Sequence, residues 1–243
     1  EVAVRAILKA KNPLIYAGQG VFAADACNEL KELVELLNVP IMSTLLGKSN
    51  FPENDPLYIG VRGIPVSHFL ESADLIFGIG TSLNKLRFSH TIPNPQQKVL
   101  IQTAIDDFDI NKNYDINHAI LGDCKLVLQQ VIAEVKKQAG SNGRPQNDKV
   151  LETISSLKED KAKKYESAIT ATSKPINPYR VYWDIMQTID LDNSIVTHDS
   201  GNTRDQLSTI WEATVPHGFV GWCNVSTLGF GLGCALGAKL AFL

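Results

Sequence analysis

Leu75-Ile76-Phe77-Gly78-Ile79-Gly80 is an apolar run that ends on a glycine, with no polar position to mark a solvent face. A strand that is apolar at every position is buried on both sides, as in a parallel sheet sandwiched between helices. The same grammar recurs on either side of it. Leu14-Ile15-Tyr16-Ala17 runs into Gly18-Gln19-Gly20, Val39-Pro40-Ile41-Met42-Ser43-Thr44 reads as the next strand, and Val99-Leu100-Ile101-Gln102 as another. Between them Ala26, Leu30, Leu33, Val34 and Leu37 recur at helical spacing. A further helix is predicted over 125–137, where Leu126, Leu128, Val131, Ile132 and Val135 are apolar. Strands alternating with amphipathic helices predict an α/β fold with a parallel sheet over residues 1–140.

Composition agrees with a packed protein. Apolar residues make up 44% of the 243 and charged residues 20%, enough to build a core and unlike a disordered chain. The 23 basic and 26 acidic residues leave a net charge of -3, so the basic excess that phosphate neutralisation on nucleic acid requires is missing. Cys27, Cys124, Cys223 and Cys234 form no C-x-x-C pair, which argues for free thiols and a cytoplasmic setting over disulfides or zinc. The stretch 225–243 carries Lys239 as its one charge, but its glycines and its length of about 19 residues fit a buried soluble helix better than a membrane span.

The composition shifts after the first unit. Ala139-Gly140-Ser141-Asn142-Gly143-Arg144-Pro145-Gln146-Asn147 has the makeup of a linker. A charged helix follows, with 158–164 as a solvated face, so 141–176 is expected to be a linker segment. Asn177-Pro178 is a helix start, and the helix over 179–188 leads to a strand at Ser194-Ile195-Val196-Thr197. A second α/β unit is therefore expected over 177–243. The chain begins at Glu1 inside a helix-like run and ends in a mid-apolar segment, which is expected of a fragment.

Two places suggest anion binding. Gly18-Gln19-Gly20-Val21-Phe22-Ala23 matches G-x-G-x-x-A between a strand and a helix, so Gly18 and Gly20 suit either a nucleotide pyrophosphate or a tight structural turn. The acid that would contact an NAD ribose is missing, because the next strand ends in Ser43-Thr44. Gly122-Asp123 reads as a helix cap. The five histidines lack metal-ligand spacing. The second place is Thr197-His198-Asp199-Ser200-Gly201-Asn202-Thr203, followed by a helix over 204–213, together with 224–233 and the helix after it. Small polar residues at a strand-to-helix junction offer amides and hydroxyls to an anion. Gly231, Gly233 and Gly237 remove side chains where a helix packs closely.

These segments resemble the thiamine diphosphate-dependent superfamily of acetolactate synthase, benzoylformate decarboxylase and oxalyl-CoA decarboxylase. Asp199-Ser200-Gly201-Asn202-Thr203 is similar to its first diphosphate-contacting loop. Ser226-Thr227-Leu228-Gly229-Phe230-Gly231-Leu232 with Ala235-Leu236-Gly237-Ala238 is similar to its aminopyrimidine-binding turn and helix, and the first 140 residues to its Rossmann-like central domain. The resemblance implies thiamine diphosphate and Mg2+ as cofactors, with FAD open. Asn202 and Thr203 would hold diphosphate oxygens, and the backbone carbonyl of Ser226 and the N–H of Leu228 the aminopyrimidine, with Gly201, Thr227 and Gly229 as further cofactor-binding residues of the same two segments. Leu228 would bend the cofactor into a V. The family's Gly-Asp-Gly metal motif is expected after Leu243 and its catalytic glutamate before Glu1, so neither a metal ligand nor a catalytic residue is expected within these 243, and the chain alone is expected to be inactive. Gly233 stands where the family usually has Pro.

The implied activity is carbon–carbon bond making or breaking next to the carbonyl of a 2-keto acid, by an acetolactate synthase-like transferase. Alternatives are a decarboxylase or lyase of the oxalyl-CoA or benzoylformate type, taking a 2-keto acid or an acyl-CoA, and a non-catalytic nucleotide-binding module. A homodimer or homotetramer is implied, without nucleic acid or membrane partners.

Overall fold

The computed structural model describes residues 1–85, 90–221 and 227–242. The first unit is a six-stranded parallel sheet, in the order β3-β2-β1-β4-β5-β6. Its strands are β1 (Pro13–Ala17), β2 (Ile41–Ser43), β3 (Tyr58–Gly60), β4 (Leu75–Ile79), β5 (Val99–Ala104) and β6 (His118–Leu121). Every residue of β1 and β4 is buried, which is what their uninterrupted apolar sequences require. The strands predicted from those runs are present. The second is shorter than 39–44, because Val39 and Pro40 lead into it and Thr44 turns out of it, its hydroxyl accepting from the Gly47 amide.

The helices of this unit are α1 (Val2–Lys9), α2 (Gly20–Ala23), α3 (Cys27–Leu37), α4 (Ile64–Ser72) and α5 (Cys124–Ala139). α3 buries Leu30, Leu33, Val34 and Leu37 and ends at Asn38 in the left-handed region, φ 50°. α5 starts at Asp123, whose carboxylate accepts from the Leu126 amide at 3.1 Å, so Asp123 is the cap its position implies. α3 packs on α5, and α1 on α5.

Residues 140–147 run along the first unit. The Arg144 guanidinium donates to the carbonyls of Ala10 and Lys11, and its backbone amide donates to Leu36 O at 2.9 Å. Helix α6 (Asp148–Ile169) then packs on α4 and buries Ile154 in the large core. The second unit holds α7 (Pro178–Thr188), β7 (Val196–His198), α8 (Asn202–Ile210), β8 (Phe219–Gly221) and α9 (Phe230–Ala241). Asn177 caps α7, accepting from Tyr179 N at 3.0 Å. β7 and β8 pair in parallel over a small core of Met186, Leu207, Trp211, Ala213 and Phe219.

A buried polar seam joins the two units. Lys48 and Glu53 form an ion pair with both side chains 3% exposed. Lys48 Nζ also donates to Trp211 O at 2.7 Å, and the Glu53 carboxylate accepts from Ala213 N at 3.1 Å and from Tyr58 Oη at 2.9 Å. Burial first, and then the Glu53 charge, push the Tyr58 phenol well above its ordinary pKa. Lys158 and Lys161 of α6 line the same small cavity, with Glu212. Lys158 and Lys161 are therefore less solvated than the charged sequence of that helix implies. Burial, then the repulsion of Lys48, bring Lys161 down to about 8.

Two expectations about α9 are corrected. The helix is not buried: Leu232, Leu236 and Leu240 are 73%, 60% and 71% exposed and, with Leu228 just before it at 82%, form an exposed stripe at every fourth residue. Among the described residues, Gly233 and Gly237 would meet no atom within 4 Å if they carried a Cβ, whereas Gly231 marks a close approach. No helix among the described residues is long and apolar enough to cross a membrane. Cys27, Cys124 and Cys234 are free, while Cys223 lies outside the described residues.

Candidate functional site

The two segments singled out in the second unit come together at one place, and Asp199 is the reason. β7 ends at His198, and the chain turns through Asp199, Ser200 and Gly201 into α8. Gly201 is the N-cap at φ 84°, a conformation glycine adopts without strain. The helix therefore starts at Asn202, two residues before the predicted 204, and it ends at Ile210 because Trp211 is extended and gives its carbonyl to Lys48. Thr203 turns its hydroxyl inward, donating to Asp199 O and Ser200 O at 3.1 and 3.2 Å. The amides of Asn202 and Thr203 have no acceptor among the described residues.

Asp199 reaches across to the second segment. Its two carboxylate oxygens accept from Gly229 N at 3.1 and 2.9 Å, and one also accepts from Gly231 N at 3.4 Å. The same side chain accepts from Ser200 N at 2.8 Å. These amides, Ser200 first, hold the Asp199 carboxyl below its ordinary pKa. Gly231 is needed for the approach, since a Cβ there would lie 3.0 Å from Asp199 N and His198 C. Thr227, Leu228 and Gly229 are exposed at the start of α9, with Gly229 left-handed at φ 83°. Asn224, Val225 and Ser226 lie outside the described residues.

His198 is structural in this arrangement. It is 4% exposed, its Nδ1 lies 2.8 Å from Asp199 O, and its ring packs on Phe219 at 5.2 Å. Burial lowers its pKa. A Cβ on Gly221 would collide with its Nε2.

The glycine turn of the first unit sits where the strand order reverses, between β1 and β4, the usual place for a ligand crevice in such sheets. A cavity of about 310 Å³ opens there, lined by Gln19, Gly20, Gly80, Thr81, Thr103 and Gly122 among others. The turn's own amides are spent inside the fold: Gly18 N donates to Ile79 O at 2.8 Å and Gly20 N to Gly80 O at 2.9 Å. A Cβ on Gly20 would lie 2.7 Å from the Gly80 Cα, so close backbone packing alone requires this glycine. The helix that follows the turn is four residues long. Against this, Thr103, a residue of the cavity wall, has a buried hydroxyl with no hydrogen-bond partner among the described residues.

Comparison with known proteins agrees with the α/β fold of the first unit. The family described as "Thiamine pyrophosphate enzyme, central domain" matches residues 1–131. The chain belongs to that family, whose cofactor name is a synonym of thiamine diphosphate. It is 33% identical over 257 residues to a probable acetolactate synthase large subunit of Methanococcus aeolicus, and 30% identical over 259 residues to another from Methanocaldococcus jannaschii. Acetolactate synthase isozyme 3 large subunit of Escherichia coli is 24% identical over 243 residues. The match covers 98% of this chain in each case but 41%, 41% and 42% of the relatives, so the chain spans about two fifths of their length.

The residues present fit part of such a cofactor's site. At Gly201 and Gly229 a Cβ would meet nothing within 4 Å among the described residues. The first turn of α8 offers unspent amides to an anion. Among the described residues, no three His, Cys, Asp or Glu side chains are grouped to hold a metal ion. Sequence reasoning missed Asp199 as the link between the segments, and also the Lys48–Glu53 seam.

Proposed function

We propose that the intact protein is a thiamine diphosphate- and magnesium-dependent carboligase of the acetolactate synthase type, acting on 2-keto acids. In this reading residues 1–140 are its central domain, 141–176 a linker with its charged helix, and 177–243 the start of the diphosphate-binding domain. The observation that carries it is the junction of the 199–203 loop with the 227–229 turn through Asp199, in a chain that acetolactate synthase large subunits match over 98% of its length. Bound thiamine diphosphate supplies a nucleophilic carbon and an electron sink for decarboxylation. The amides of Asn202 and Thr203 hold diphosphate oxygens, and Gly201 lets the backbone approach them. Leu228, exposed beside the turn, would support the bent cofactor, with Thr227 and Gly229 at the pyrimidine side; Ser226, assigned to the same side from the sequence, lies outside the described residues. Magnesium ligands and the activating glutamate are sought outside the described residues. The protein is assigned to the cytoplasm, as a homodimer or homotetramer.

The test is product analysis of the intact protein with pyruvate, thiamine diphosphate and Mg2+. Acetolactate supports the reading. Carbon dioxide with an aldehyde and no coupled product supports the decarboxylase alternative, and absence of cofactor binding overturns both. Leu228→Ala is expected to lower turnover by about tenfold or more at saturating cofactor. The 243 residues alone are expected to be inactive. The unpartnered Thr103 hydroxyl favours a second ligand, a nucleotide such as FAD or ADP, in the crevice beside Gly18 and Gly20. Calorimetry with FAD, ADP and NAD tests that reading.

A further inference from the structure

Helices α8 and α9 open in the same way and are finished differently. Each begins on a glycine N-cap with positive φ, 84° at Gly201 and 83° at Gly229, and neither glycine supplies a capping side chain. Each should therefore present unsatisfied amides and the positive end of a helix dipole. Both starts lie beside Asp199. The carboxylate of Asp199 is given to α9, where it takes Gly229 N and Gly231 N. The amides of Asn202 and Thr203 at the start of α8 are left without an acceptor among the described residues.

We propose that Asp199 is a positioning residue that sets the polarity of the cofactor site. By supplying the negative charge at the start of α9, it leaves the start of α8 as the place for the diphosphate, and it holds the pyrimidine turn at a fixed distance from that loop. The inference rests on the functional reading above and adds a role for a side chain that would not itself touch the diphosphate. The physical basis is competition: two neighbouring helix starts attract the same anion, and a resident carboxylate closes one of them. Asp199 also takes Ser200 N, so one side chain braces both the loop that leads to α8 and the turn that leads to α9.

The test is calorimetry on the intact protein with inorganic pyrophosphate, with thiamine diphosphate plus Mg2+, and with thiamine, for the wild type, Asp199→Asn and Asp199→Glu. The wild type should bind one pyrophosphate, and thiamine diphosphate far more tightly than thiamine. Asp199→Asn should lower thiamine diphosphate affinity by about tenfold, the worth of a charged hydrogen bond. It should also raise the pyrophosphate stoichiometry to two, as the start of α9 opens. Asp199→Glu should restore single occupancy, a rescue that a purely structural role would not produce. If the wild type binds the cofactor and Asp199→Asn binds it equally, with one pyrophosphate, this inference is overturned and the functional reading stands. If the wild type binds no cofactor, the functional reading is overturned and this inference with it. Hydrogen exchange on the wild type avoids dependence on a variant's folding. Cofactor should protect the 200–206 peptide, while the 229–231 amides are protected before it is added; free exchange there in the cofactor-free protein would also overturn the proposal.

Discussion

The six-stranded sheet and the small unit of β7 and β8 are made from the same alternation of strand and helix, yet they are finished to different degrees. In the first, β1 and β4 are buried at every residue and helices close over them. In the second, the core is a cluster around Met186, Leu207, Trp211, Ala213 and Phe219, and α9 buries none of its residues. The difference teaches where each part obtains its order. The large sheet is held by apolar burial, whereas in the second unit polar contacts add to a small core: Leu207 anchors α8 in it, Lys48 and Glu53 bond the residues after α8, and Asp199 holds the start of α9.

The contrast breaks most easily at the seam. Glu53→Ala removes one partner of a buried ion pair together with the acceptor for Ala213 N and Tyr58 Oη, and should cost about 3–5 kcal/mol in denaturant unfolding. Its signature is early loss of the second unit, read by Trp183 and Trp211 fluorescence; a single unchanged transition would mean that the seam contributes little. Next in size, Gly20→Ala places a methyl against the Gly80 backbone and should cost about 1–3 kcal/mol in the first unit. Fluorescence of the second unit should follow only when the sheet melts.

A smaller effect concerns pH. The Lys161 ammonium is held at about 8 when folded, against an ordinary value near 10.5. Between those values the unfolded chain keeps a proton that the folded chain has released, so this group makes stability rise with pH across that window and contributes no slope below it. The difference in unfolding midpoint between wild type and Lys161→Met should therefore change from about pH 8 to about 10.5 and be flat below; a flat difference throughout would show that Lys161 is well solvated. The smallest effect is expected on the leucine stripe. Leu236→Ser in the 243-residue chain should alter stability by less than about 0.5 kcal/mol, as for an exposed position, and a larger loss would show that the stripe is packed.

The sequence revealed what apolar continuity writes plainly. β1 and β4 are legible because nothing polar interrupts them, β5 because it opens on the apolar run Val99-Leu100-Ile101, and α3 and α5 because their apolar residues keep helical spacing. β3 and β8 are three residues each, and β6 alternates half-buried with exposed positions at the sheet edge, so none of them has a run to detect. The 199–203 loop and the turn before α9 are visible as local patterns. Their junction is not, because Asp199 and Gly229 are 30 residues apart and a carboxylate capping another helix leaves no local signal. Lys48 and Glu53 were passed over for a related reason: charged side chains are ordinarily exposed, and only a distant partner makes their burial tolerable.

The segment between β2 and β3 has a consequence for the order of assembly. Three of its side chains find partners very late in the chain: Lys48 bonds a residue 163 positions away, Glu53 one 160 away and Ser49 one 170 away. Closing loops of that length carries an entropy cost that local strand pairing does not. The central strands can form early and bury Phe51 and Leu57, while Lys48, Ser49 and Glu53 are satisfied only when residues 211–219 arrive. A protease cutting within residues 44–57 would thus serve as a clock, its access ending at the moment the two units dock.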